Sequence, residues 1–136
     1  MRLPICAQRG LTAFMLTLFA GLPAQAADVD GAWANDPAAC SNIFVKKNNV
    51  VSLADDSDIY GSGFIVDGNR IRGKMATCTI KSRKEDAGVV HLIAVCSTDI
   101  ALSTVQFSLR MDGENKLTRF FPGVPEMDVS YVRCPP

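Results

Sequence analysis

The sequence predicts an all-β domain: a single small antiparallel meander, closed as a barrel or stacked as a sandwich, of seven to eight short strands and stapled by disulfides. Three observations predict it. Turn-forming clusters recur about every 20 residues, at Asn48-Asn49, Asp67-Gly68-Asn69, Asp86-Ala87-Gly88 and Asp112-Gly113-Glu114, each flanked by β-branched or aromatic side chains. Val105, Phe107, Leu109 and Met111 alternate with Thr104, Gln106, Ser108 and Arg110, the period of two of a half-buried strand. Four cysteines, Cys40, Cys78, Cys96 and Cys134, follow an N-terminal export signal, and an even number in an exported domain reads as two bridges.

The signal comes first. Arg2 and Arg9 flank a short charged start, Leu11 to Leu22 is a nearly unbroken apolar run, and Ala24-Gln25-Ala26 is a small-x-small cleavage site. The run is too short for a membrane span, which needs roughly 20 apolar residues, and it stops at Pro23 with no stop-transfer pattern. Residues 1–26 are therefore expected to be a cleaved signal peptide, and residues 27–136 a single all-β domain in the periplasm or the exterior. A lipoprotein would carry a cysteine directly after the run, but Cys6 precedes it. Cleavage removes Arg2 and Arg9 and no acid, leaving 12 basic against 14 acidic side chains, a net charge of −2. That balance gives no reason to expect nucleic-acid binding or attraction to an anionic membrane.

Strands are expected at Ile43 to Lys47, Val50 to Leu53, Gly63 to Val66, Arg70 to Met75, 75 to 83, 88 to 97, 104 to 111 and Val129 to Arg133. Only Pro37 to Ser41 and Asp99 to Ser103 leave room for a helical turn. Asp86-Ala87-Gly88 fits a three-residue hairpin loop whose last position is left-handed and wants glycine. Setting Glu85 opposite Val89 then brings Cys78 opposite Cys96, within reach of a disulfide, and gathers Ile80, Val90, Leu92 and Ala94 on the same apolar face. Elimination pairs Cys40 with Cys134, closing a long loop worth on the order of 4 to 5 kcal/mol in the chain-entropy picture. After Met111 an odd loop, of three residues, is favoured because it returns Leu117 and Phe121 to the apolar face.

Gly31-Ala32-Trp33 stands at the opening of the domain and Arg133 in its last strand. This arrangement resembles the calycin pattern of lipocalins and small bacterial metalloprotease inhibitors. The resemblance implies a barrel whose floor is closed by Trp33 packed beneath Arg133. It rests on these end residues alone; the chain is shorter than a typical lipocalin, and the family inhibitors do not normally show this four-cysteine arrangement.

No catalytic constellation is visible, so the chain reads as non-enzymatic. His91 is the sole histidine, and the hairpin register puts it on the outer face opposite Arg83, where a cation disfavours imidazolium. No Gly-x-Ser-x-Gly elbow is present, and disulfide-bonded cysteines are not nucleophiles. The cysteines lack the paired C-x-x-C spacing of zinc sites, so neither a metal centre nor a cofactor is expected. Asp56, Asp58 and Asp67, with Gly61 between, match part of a calcium loop, but Tyr60 and Gly63 break it, and a solvated acidic loop is the better account.

Two surface features are candidates for contact. Arg70, Arg72 and Lys74 alternate along one strand as an anion-binding face, with Lys81 and Arg83 continuing the stripe, although the polar outside of a half-buried sheet also explains them. Phe120, Pro122, Val124 and Pro125 form a stiff apolar loop suited to contact with a partner, with Phe121 assigned to the core. Three functions follow: a binding or inhibitor-like module with a protein partner, a calycin-like carrier of a small apolar ligand, or an envelope-associated structural or stress protein.

Overall fold

Long alternating runs make long strands, and the three longest, adjacent in the sheet, anchor the architecture. A computed structural model describes residues 26–135; the signal peptide expected at residues 1–26 lies, up to residue 25 and with Cys6, outside the described residues. Thr77–Asp86 (β6), Val89–Ser97 (β7) and Leu102–Met111 (β8) are joined antiparallel, and in β7 the side chains at 90, 92, 94 and 96 are buried while their neighbours are not. Lys116–Phe120 (β9), Val129–Arg133 (β10), Gly31–Ala34 (β1), Gly63–Asp67 (β4) and Arg70–Gly73 (β5) complete the ring. The eight strands close as β1-β10-β9-β8-β7-β6-β5-β4, an antiparallel barrel with no free edge.

The chain leaves the barrel once. Residues 35–62 carry a 3-10 turn at Pro37–Ala39, a helical turn at Cys40–Ile43 (α1), a hairpin of Phe44–Lys47 (β2) with Val50–Leu53 (β3), and a second helical turn at Ser57–Tyr60 (α2). Ala32, Ala34 and Ile65 point outward from β1 and β4, and Ala39, Ile43, Phe44, Val51 and Leu53 of the excursion cover them. Cys40 bonds Cys134 in this outer cluster, so the excursion is fastened to the end of β10 across 94 residues. The inner core holds Val29, Trp33, Val66, Leu92, Leu109 and Leu117, with the Cys78–Cys96 bridge in its wall. Two disulfides are consistent with an oxidising compartment, periplasmic or extracellular. Among the described residues no helix is long and apolar enough to cross a membrane.

The turns correct several sequence expectations. Asp86 pairs with Val89, so the β6–β7 loop holds two residues, not three, and Ala87 and Gly88 are both left-handed at φ 49° and 78°. Cys78 nonetheless faces Cys96, because a bulge at Lys81 absorbs the one-residue difference. Beyond that bulge the faces exchange: Arg83 lies opposite Leu92 and turns inward, while His91 lies opposite Lys84 rather than Arg83. The β8–β9 loop holds three residues, closed by Asp112 N–H on the Lys116 carbonyl, and Leu117 returns to the core with no exposed surface. No helical turn forms at 99–103; the chain is in β8 from Leu102. Ile43 ends α1 instead of opening β2, and β5 stops at Gly73, two residues before Met75.

Candidate functional site

Because the barrel is an up-and-down meander, its connections fall alternately at two ends. One end carries the tight turns at 68–69, 87–88 and 113–115 together with residues 26–30. Trp33 seals this floor. It has no exposed surface, its indole N–H donates to the Val29 carbonyl at 2.9 Å, and the Arg133 guanidinium lies 4.4 Å over its ring. Arg133 also donates to the carbonyls of Asp28, Asp30 and Glu114, tying the first segment to the β8–β9 turn. Gly31 makes this possible: its φ is +134°, and a Cβ there would lie 2.7 Å from the Arg133 guanidinium. Arg83 and Glu85, 2.6 Å apart, hold Ala27 from the other side, Arg83 on its carbonyl and Glu85 accepting its N–H.

The opposite end is open. It leads into a cavity of about 520 Å³ inside the barrel, walled by Phe64, Ile71, Val105, Phe107, Leu109 and the Cys78–Cys96 bridge. An eight-stranded barrel is at the size where side chains either fill the interior or leave room for one small ligand, and this volume lies within the range of ligand pockets. Phe64 meets Tyr131 edge-on at 4.9 Å in the wall. The charged side chains lining the cavity are Asp58, Lys74 and Arg119. Lys74 and Asp58 face each other at 3.9 Å, and Lys74 also donates to the Asp55 carbonyl, so α2 is drawn over one side of the mouth. Ser57 of α2, also at the cavity wall, keeps a buried hydroxyl without a hydrogen-bond partner among the described residues.

Arg119 is placed by strand alternation between Leu117 and Phe121, opposite Leu109 on β8 and Val129 on β10, so its side chain points inward. Its guanidinium lies 4.6 Å from the Phe107 ring centre and 4.8 Å from that of Phe121. Burial lowers its pKa from the ordinary arginine value, and neighbouring Tyr131 opposes the shift.

The mouth is rimmed with apolar side chains. Ile59 and Tyr60 on α2, Met75 between β5 and β6, Ile100 between β7 and β8, Leu102 at the start of β8, and Val124 and Met127 between β9 and β10 are all exposed, Met75 by 77% and Ile100 by 96%. Among the described residues the one other large exposed apolar side chain is Val50, at the β2–β3 turn.

The sequence candidates are dispersed. Asp56 and Asp58 sit at the mouth and Asp67 at the floor, with β4 between them, so the calcium-loop pattern is not assembled; no cluster of metal-binding side chains occurs among the described residues. Arg70, Arg72 and Lys74 do not form one face: Arg72 donates to the Val51 carbonyl of the excursion, and Lys74 lies past the end of β5 and binds the α2 segment. Phe120 points to the outer wall beside His91, with ring centres 6.4 Å apart, whereas Val124, Pro122 and Pro125 stand at the mouth, so the four residues are not a single surface. His91 Nδ1 lies 3.0 Å from Ser108 Oγ on that outer wall, and Ser108 is buried. Arg119, Tyr131 and Phe64 were absent from the sequence candidates. The signal for Arg119 was available, since the register that turns Leu117 and Phe121 inward turns the residue between them inward too.

Compared with protein-family models, with curated proteins and with solved structures, the chain matches none.

Proposed function

We propose that this chain is an exported, calycin-like barrel that carries a small, largely apolar molecule in its interior. The observation that carries the reading is the cavity of about 520 Å³, apolar in its walls and open at one end. Trp33 beneath Arg133 at the sealed end supports the calycin comparison, because it is the packing that Gly31-Ala32-Trp33 and Arg133 imply. The apolar rim supports ligand exchange through the mouth, since an apolar molecule leaving the cavity meets apolar side chains before water.

A neutral fluorescent dye, N-phenyl-1-naphthylamine, tests the proposal. Uptake by the folded protein, abolished by Val105→Trp at the cavity wall and unaffected by Val50→Trp at the distant β2–β3 turn, is the expected result. Absence of uptake, or uptake indifferent to Val105→Trp, refutes the carrier reading.

The rim also favours a second reading, a binding or inhibitor-like module that grips a protein partner through Val124, Met127 and Ile100. In that case a specific partner is retained from periplasmic extract by the wild type and released by Val124→Asp or Ile100→Asp, with dye uptake unchanged.

A further inference from the structure

We propose that the cavity selects a single-chain amphiphile with one anionic head group, a long-chain carboxylate, and that Arg119 is the residue that binds the head. This rests on the carrier reading above and names the class of ligand.

The argument is one of unmatched charge. Three charged side chains line the cavity, and two of them, Lys74 and Asp58, face one another. That leaves Arg119. Among the described residues its guanidinium takes part in no ion pair or hydrogen bond; its close neighbours are the rings of Phe107 and Phe121. Arg119 is half-buried, and drawing a cation even partly out of water without a counter-ion carries a cost that aromatic faces offset only in part. Beside Phe64, Ile71, Val105 and Leu109, which share the wall, an apolar residue at position 119 would pack at lower cost.

The two rings lie 4.6 and 4.8 Å from the guanidinium carbon and accept none of its N–H groups as ordinary hydrogen bonds, so those donors remain for a planar oxyanion, which a carboxylate meets with two parallel hydrogen bonds. Tyr131 sits beside it, buried and cavity-lining, with a phenolic hydroxyl that makes no hydrogen bond among the described residues and is free to donate to the same oxyanion. The remaining wall accepts an alkyl chain and offers no second cation for a dianion, because Lys74 is engaged by Asp58 and the Asp55 carbonyl. The ligand is therefore apolar over most of its length and carries one negative charge.

Dodecanoate, dodecanol and dodecylamine, which share a chain and differ in head group, test this by calorimetric titration. In the wild type dodecanoate binds about ten- to a hundredfold more tightly than dodecanol, the increment of a charge-assisted hydrogen-bonded pair, and dodecylamine binds more weakly than either. Arg119→Met removes the preference and leaves dodecanol affinity within about twofold, which also reports that the cavity is formed; Arg119→Lys keeps part of the preference. Dodecanol binding with dodecanoate no tighter, or a dodecanoate preference that survives Arg119→Met, overturns the assignment of Arg119 while the carrier reading stands. Failure of all three to bind overturns both.

Discussion

Replacing each disulfide by an alanine pair separates scaffold from site. In the chain-entropy picture the stabilisation grows with the logarithm of the closed loop. Cys40 and Cys134 are 94 residues apart, which corresponds to about 4.7 kcal/mol, while Cys78 and Cys96 are 18 apart, about 3.2 kcal/mol. The Cys40→Ala/Cys134→Ala protein should therefore be the less stable of the two by about 1.5 kcal/mol. With a urea m-value of about 1.5 kcal/mol per molar, the midpoints separate by about 1 M. The larger loss is comparable to the whole stability of some domains, so unfolding is followed with sucrose present in every arm, by the fluorescence of Trp33, the single tryptophan. Packing does not favour the same order: Cys78 and Cys96 are both 4% exposed and Cys134 is 5% exposed, whereas Cys40 is only half-buried. Equal midpoints, or a lower midpoint for the Cys78→Ala/Cys96→Ala protein, would refute the chain-entropy reasoning. Dye uptake distinguishes the pairs again. Cys40 and Cys134 lie in the outer cluster, so their loss leaves uptake intact in the folded protein, while Cys78 and Cys96 are cavity wall and their truncation changes dye affinity.

Other outcomes follow from the floor and its turns. Trp33→Ala removes a side chain with no exposed surface and its N–H donation to Val29, and should cost about 3 to 5 kcal/mol in urea unfolding followed by circular dichroism. Gly31→Ala places a methyl group against the Arg133 guanidinium at a φ of +134° and should cost more than the roughly 1 kcal/mol of an ordinary glycine exchange; an unchanged midpoint would show that Arg133 moves aside freely. The Asp112 carboxyl is held below its usual pKa by hydrogen bonds from Thr118 and then Arg110. Its folded pKa being depressed, the stabilisation is present above the unfolded value near 3.9 and is lost as pH falls through the folded value. Urea midpoints of wild type and Asp112→Asn should thus converge below about pH 4.

The barrel was legible because its strands are long enough for alternation to be read, and because its tight turns carry Gly68, Gly88 and Gly113 at positive φ, where glycine is favoured. Loop lengths were harder. The bulge at Lys81 leaves no mark in the sequence, since a lysine is equally at home on the solvent face of an ordinary strand, yet it decides that Arg83 turns inward and His91 meets Lys84. The calcium-like pattern misled for the opposite reason: the spacing of Asp56, Asp58 and Asp67 is a loop spacing only if the backbone is a loop, and Gly63–Asp67 is extended, carrying Asp67 along the wall of the barrel to its other end. The cavity was beyond sequence reasoning, because a hollow interior and a filled one share the same alternating pattern and differ only in how side-chain volumes sum across strands that are distant in the chain.

The two ends of the barrel obey different constraints, and this is what gives the cavity a direction. At the floor, two- and three-residue turns place Gly68, Gly88 and Gly113 at positive φ, and Arg133 binds three carbonyls over Trp33, so little there can move without breaking several contacts together. At the mouth the connections at 54–62, 98–101 and 121–128 are longer, and they carry Ile59, Tyr60, Ile100, Val124 and Met127 in water, where apolar surface is unfavourable unless it is covered in use. If the barrel carries a ligand as proposed, a molecule passing between the cavity and another apolar environment meets one sealed end and one end lined to receive it. On the proposed assignment the same asymmetry would set the orientation in the cavity: with Arg119 on the mouth side of Leu117 and Tyr131, a head group bound there would leave its chain to fill the space between Ile71 and Leu109, against the end that Trp33 closes.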